Sequence, residues 1–246
     1  MNSKMNSKSH QNKKRDKKLC DELKILKGNI EGMRERIRYY QRKFLDAERR
    51  ALKDPITFLP NSAALEMKFA EEYSKLSRFK MSNTYLIFLD VDDFKRFNDR
   101  YGQNTGDDIL RKVASVIRKN IRPYDSVFRK GGDEFVILIP EVRSVRNAFD
   151  VAERIRKTIS GTPITPYNTK DIVRVTVSIG ITPLEENKNH IEKRANEKEF
   201  ENALQELIYM ANLAEKEAKE FGKDRTYMFL DGKIIKNPEE IENKTE

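Results

Sequence analysis

The chain has 246 residues, 37% of them apolar and 36% charged, and carries a formal net charge of +9. That length allows one domain with an appendage or two small domains, and so low an apolar fraction implies a charged, extended segment diluting a real core. One cysteine, Cys20, excludes an internal disulfide framework, and no run approaches the ~18 apolar residues of a membrane span. No signal peptide is expected, and a cytoplasmic location is.

The excess charge is local. Residues 1–50 hold 16 Lys+Arg against 7 Asp+Glu, whereas the rest of the chain is balanced at 33 against 33. Residues 1–18 are mostly Asn, Ser and Lys, a composition that cannot repay its ordering entropy, so a disordered basic tail is expected. No aromatic residues interleave the lysines, which favours a solubilising tail; nucleic acid is not an expected partner.

From Leu19 the pattern changes. Leu19, Leu23, Leu26, Ile30, Met33, Ile37, Tyr40, Phe44, Ala47 and Ala51 recur at alternating spacings of four and three, with charged residues between them. That seam predicts a parallel two-stranded coiled coil over 19–53 and hence a homodimer. Gly28 and Gly32 lie off the seam and weaken the helix by roughly 1 kcal/mol each relative to Ala. Asp54-Pro55 marks the boundary to a globular domain over 54–232.

In that domain a turn-rich segment, 54–61, leads into a helix over 62–79 with Leu65, Phe69, Tyr73 and Leu76 on one face. A buried strand over 84–91 ends in Asp90, Asp92 and Asp93. Then come a short helix over 94–100, a loop over 101–105, a helix over 106–121 and a hairpin about Gly131-Gly132. A helix over 142–160, a strand over 172–181, a charged exposed loop over 184–198, a helix over 200–221 and a last strand over 226–230 follow. Residues 233–246 read as a C-terminal tail, disordered from Asn237. The order predicts an α/β (α+β) sandwich, an antiparallel central sheet with flanking helices in the ferredoxin-like class.

The hairpin is the chemical focus. In Arg129-Lys130-Gly131-Gly132-Asp133-Glu134-Phe135 the glycines permit a tight turn and a close approach of ligand to backbone, and the acids sit at the rim of the sheet. Taken alone, the stretch equally fits an ordinary turn with solvated acids. If the Asp90 strand is its neighbour, two carboxylates come close, and such a pair repels unless protonated or bridged by a cation. Hard oxygen ligands with open positions suit Mg²⁺ and substrate phosphates. Lys95, Lys219, Lys223 and Arg225 are candidate cations for a polyphosphate.

Several blocks then carry a resemblance: Gly131-Gly132-Asp133-Glu134-Phe135, Asp90 to Asp99, Tyr101-Gly102, Gly106-Asp107, Val175 to Gly180, and Ala218-Lys219 with Gly222. In this order and spacing, residues 54 to about 230 resemble the GGDEF domain of diguanylate cyclases, with its palm-like fold. The resemblance implies condensation of two GTP, one per subunit, into cyclic di-GMP with release of two pyrophosphates. It implies two Mg²⁺ ions, or Mn²⁺ in their place, on Asp90, the Val91 carbonyl and Asp133, with Glu134 assisting. Asp133 would be closest to deprotonating the 3′-hydroxyl. Asn98 and Asp107 would read guanine; Phe94, Gly131 and Gly132 would line the nucleotide; Lys95, Lys219 and Lys223 would hold phosphates. Arg122 and Asp125 stand where the family has its RxxD inhibitory site for cyclic di-GMP, with Arg154 a further candidate.

The chain departs from the family's pattern at Phe58, Ser62, Gln103, Lys130, Asn212, Glu215, Lys216, Lys223 and Asp224, where Gly, Arg, His, an aromatic, Asp, Leu, Tyr, Arg and Asn are usual. Arg to Lys at a phosphate contact keeps the charge and loses the bidentate fork. The competing expectation is a catalytically silent module that binds GTP or cyclic di-GMP and signals to a partner.

Overall fold

The computed structural model describes residues 2–79, 83–166, 172–184 and 197–237, and divides the chain into two units, Met1–Ala51 and Leu52–Glu246. Residues 185–196 of the expected charged loop, the tail from 238 and the Leu76 side chain lie outside the described parts.

The first unit is one helix, α1 (Asn2–Ala51). Residues 2–18, whose composition predicts a disordered tail, are helical here. Lys, Arg, Gln and Met are good helix formers, and no Pro or Gly interrupts the run before Gly28. The seam residues from Leu19 to Phe44 are all exposed, by 44% at Ile30 to 68% at Phe44. Among the described residues no helix is long and apolar enough to cross a membrane.

The second unit runs α2 (Ser62–Phe79), β1 (Tyr85–Val91), α3 (Phe94–Tyr101), α4 (Gln103–Lys119), β2 (Ser126–Gly131), β3 (Glu134–Ile139), α5 (Val145–Gly161), β4 (Val177–Pro183), α6 (Glu197–Glu220), β5 (Thr226–Leu230) and β6 (Lys233–Ile235). The strands form one sheet in the order β2-β3-β1-β4-β5-β6. Every pairing is antiparallel except β4 with β5, which is parallel because the chain crosses back through α6. That pair is the one departure from the antiparallel central sheet that the sequence predicts. The tail boundary at 233 is corrected: Lys233–Ile235 pairs with β5 and buries Ile235.

Alternation along the strands builds two cores. Ile87, Leu89, Phe135, Ile137, Ile179 and Ile181 face α4 and α5, where Ile109, Val113, Ile117 and Ile155 meet them. Leu86, Phe88, Val136 and Leu138 face α2 and α6, packing with Leu65, Phe69, Leu204 and Ala211. In the same alternation Asp90 and its cross-strand partner Glu134 fall on the α2/α6 face.

Gly180 sets how close α6 comes. A Cβ there would stand 2.7 Å from the Glu215 backbone nitrogen and closer still to the Ala211 carbonyl oxygen, so the helix backbone lies directly on β4. Gly180→Ala should therefore cost roughly 1–3 kcal/mol in a urea unfolding titration; a cost under about 0.5 kcal/mol would show that α6 slides freely.

Candidate functional site

At the C-terminal end of β1 the sheet rim gathers the expected acids. β1 pairs with β3 so that Asp90 stands opposite Glu134, and the Val91 N–H donates to the Asp133 carbonyl at 3.3 Å. The hairpin β2–β3 turns through Gly132 and Asp133, and Gly132 has φ 53°, a left-handed value that glycine tolerates best.

One buried cation fixes this turn. Arg129 donates to the Gly132 carbonyl through Nε (3.0 Å) and NH2 (2.6 Å), and its NH1 lies 2.9 and 2.8 Å from the two Asp54 carboxylate oxygens. Asp54 also accepts from the Thr57 amide and hydroxyl. Burial alone would raise its pKa, but the Thr57 and Arg129 hydrogen bonds hold it below the usual value. The sequence alone does not single out Arg129, because a charge in a strand normally reads as solvated. Its parity with Val127, and a glycine carbonyl needing a donor, were the available signals.

Asp90 is 9% exposed and forms an ion pair with Lys219 at 2.8 Å; the same ammonium stands 2.9 Å from Glu215 Oε1. Burial pushes the Asp90 pKa up to about 7 against the opposing pull of Lys219, and the Asp133 charge adds to the rise. Burial raises Glu215 too, while for Lys219 the two carboxylates outweigh burial and raise its pKa. Because Asp90 keeps its proton to higher pH when folded, its contribution to stability is full below 3.8 and lost as pH rises towards about 7. Melts of the chain in a chelator should show Tm falling between about pH 4 and about pH 7, with a flatter slope in Asp90→Asn. An unchanged slope in that variant would remove the assignment.

The remaining acids have separate duties. Asp92, 2% exposed, accepts from Thr176 (2.6 Å), Ser178 (2.7 Å) and the Asp224 amide (3.1 Å), and so ties the β1 end to β4 and to the start of β5. Asp93 pairs with Lys223 at 2.6 Å, and Glu134 with Lys130 at 2.8 Å.

On the other flank of β1, Phe94 packs on the core from the first turn of α3, and Lys95 is exposed. Asn98 has a buried Oδ1 with no hydrogen-bond partner. Gly106 leaves room for it: a Cβ there would overlap Asn98 Oδ1 and come 3.1 Å from the Phe94 ring. Asp107, one residue on, has Arg111 3.8 Å away. The third group also assembles. Asp125 accepts from the Arg122 amide at 2.8 Å, and burial raises its pKa against the charges of Arg122 and Arg154. The Arg122 guanidinium donates to the Tyr124 hydroxyl and Arg154 to the Asn120 carbonyl.

Among the described residues no three His, Cys, Asp or Glu side chains converge as a ready metal cage. The donor set at the rim, two carboxylates with a backbone carbonyl at a strand end, fits Mg²⁺, which keeps water and phosphate as its other ligands. Asp90 Oδ1 agrees: it is buried without a hydrogen-bond partner, an acceptor that a cation would satisfy.

Fold and site thus define a three-layer α/β domain with an acidic sheet rim, a neighbouring lysine and an orphaned amide. The model of the diguanylate cyclase GGDEF domain matches residues 51–225, and the chain belongs to that family. The diguanylate cyclase DgcP of Pseudomonas aeruginosa is 32% identical over 210 residues, 85% of this chain and 29% of that protein. Diguanylate cyclase DosC of Escherichia coli is 42% identical over 127 residues, 52% of this chain and 27% of its own. The chain therefore spans less than a third of these curated relatives. Among solved structures, the coiled coil and GGDEF domain of DgcB from Caulobacter crescentus, in complex with c-di-GMP, superposes with a TM-score of 0.70 at 24% identity, covering 82% of this chain and 98% of that one. The diguanylate cyclase SiaD from Pseudomonas aeruginosa, in complex with its activator SiaC, gives 0.63 at 27% identity, covering 89% and 77%.

Proposed function

We propose that the chain is a diguanylate cyclase that joins two GTP into cyclic di-GMP and two pyrophosphates across a homodimer. The observation that carries this reading is the pairing of β1 with β3, which sets Asp90 and Glu134 on one face beside the Asp133 turn. Two Mg²⁺ ions, or Mn²⁺, on Asp90, the Val91 carbonyl, Asp133 and Glu134 would neutralise the triphosphate and lower the pKa of the attacking hydroxyl.

The chain's own residues supply the rest. Asn98, with its unpartnered oxygen, and Asp107 accept from the amino and ring N–H groups of guanine. Gly131 and Gly132 let the nucleotide approach the backbone beside Phe94, while Lys95, Lys219 and Lys223 offer ammonium groups to the phosphates. Asp133 takes the proton from a 3′-hydroxyl, whose oxygen attacks the α-phosphorus of the facing GTP. The new phosphodiester bond forms as the bond to pyrophosphate breaks, and a second such event closes the ring.

Each domain binds one GTP, so two copies must meet. Support comes from α1: Ile30 and Ile37 at a positions with Leu19 and Leu26 at d positions favour two parallel strands. In that register the flanking pairs Glu22 with Lys27 and Lys43 with Glu48 have opposite charges. The nucleotide substrate and the single cysteine suit a cytoplasmic location.

The second reading, a silent binding module, is favoured by the ion pairs already made by Glu134, Lys219 and Lys223. Incubating the chain with GTP and Mg²⁺ and assaying cyclic di-GMP decides between them; bound ligand without product favours the module. Arg122, Asp125 and Arg154 form the proposed inhibitory site. Arg122→Ala should weaken inhibition by added cyclic di-GMP about tenfold or more, since a guanidinium contact to phosphate is lost; identical inhibition curves would count against the site.

A further inference from the structure

The face of α6 that lies on β4 carries a buried acid with no part in the scheme above. Glu215 is 2% exposed, and Gly180 presses its backbone against the sheet. A carboxylate so placed needs a counter-ion. Lys219, one turn on, stands 2.9 Å away, and the order Glu before Lys at this spacing is the favourable one.

The geometry points to Glu215 as a positioning residue for Lys219, one that aims the ammonium at the nucleotide phosphates; this rests on the nucleotide reading above. An ammonium has three N–H donors. It stands 2.8 Å from Asp90 Oδ1 and 2.9 Å from Glu215 Oε1, contacts of charge, while neither oxygen has a hydrogen-bond partner, and the side chain is still 32% exposed, so its N–H groups can turn to a ligand on the open side. A lysine stem free of such partners gives up more rotamer entropy on taking a fixed place. Glu215 orders it in advance and remains its partner when a cation takes over Asp90. Leu, the usual residue at this position, packs as well but cannot orient the ammonium.

The test is a double-mutant cycle on the full-length chain, using Glu215→Leu, Lys219→Met and the two combined. Calorimetry reads the affinity for guanosine 5′-(β,γ-imido)triphosphate, with and without Mg²⁺, and thermal melts run alongside. Glu215→Leu should weaken nucleotide binding about tenfold, the worth of one well-directed charge-assisted hydrogen bond, and should have no further effect in the Lys219→Met background. Glu215→Gln, which keeps an acceptor oxygen in place, should recover most of that loss. Lys219→Met should lower Tm by several degrees, and adding Glu215→Leu should restore it, because the uncompensated buried carboxylate is then gone. Unchanged or tighter binding in Glu215→Leu, an equal loss in both backgrounds, or no recovery with Gln overturns the assignment. If the unsubstituted chain binds no analogue, the nucleotide reading fails instead; if it binds and the cycle is additive, only the role of Glu215 falls.

Discussion

Asp133→Ala should abolish cyclic di-GMP formation, a loss of about a thousandfold or more, because it removes the carboxylate proposed as both metal ligand and proton acceptor. The fold should not notice. The turn is held by Arg129 on the Gly132 carbonyl and by the Val91 amide on the Asp133 carbonyl, so the side chain contributes little to it. Stability should stay within about 0.5 kcal/mol. Product measured by chromatography together with a melting curve separates the two effects. A retained rate with an intact fold would remove Asp133 from the chemistry.

Replacing Leu23 and Ile30 together by Glu should split the proposed coiled-coil dimer and make turnover depend on the square of protein concentration. Both side chains are about half exposed on a single α1, and each is worth roughly 1.5–3 kcal/mol when fully buried against a second copy. Tethering holds two domains at an effective concentration in the mM range, so untethered chains at about 10 µM should lose about a hundredfold in rate. Light scattering gives the mass, and the rate should recover as the variant is concentrated. A surviving dimer with unchanged turnover would disconnect the seam from function.

Local patterns made much of this domain readable, and long-range contacts hid the rest. The helices α2, α3 and α5 and the strands β1 and β5 follow periodicity to within a few residues. α4 starts at Gln103, earlier than the expected 106, because Gly102, at φ 83°, ends α3 and lets the next helix begin at once. β4 starts at Val177, later than the expected 172: residues 172–176 have an apolar pattern, but apart from the Val173 bridge to Ile164 they pair with no strand. β6 lies beyond the expected end of the domain, and its signal is Asp231-Gly232 between apolar runs, a hairpin turn in which both residues have positive φ. At the site, the motif blocks located the carboxylates and lysines. They could not say which charges pair. Lys130 with Glu134, Arg129 with Asp54 and Glu215 with Lys219 depend on which face of the sheet each residue takes and on how near α6 lies.

The parallel pairing of β4 with β5 also has a consequence for biosynthesis. The acids at the end of β1 leave the ribosome early, while the lysines that neutralise them come much later; Asp93 and Lys223 are 130 residues apart. The β2–β3 hairpin can close locally, but the α6 crossover must wait for nearly the whole domain, since distant contacts carry the cost of closing a long loop. In the nascent domain Glu134 can therefore meet Lys130 within the hairpin, whereas Asp90 and Asp93 lack their lysines until α6 docks, the step that completes both the core and the charge balance of the rim.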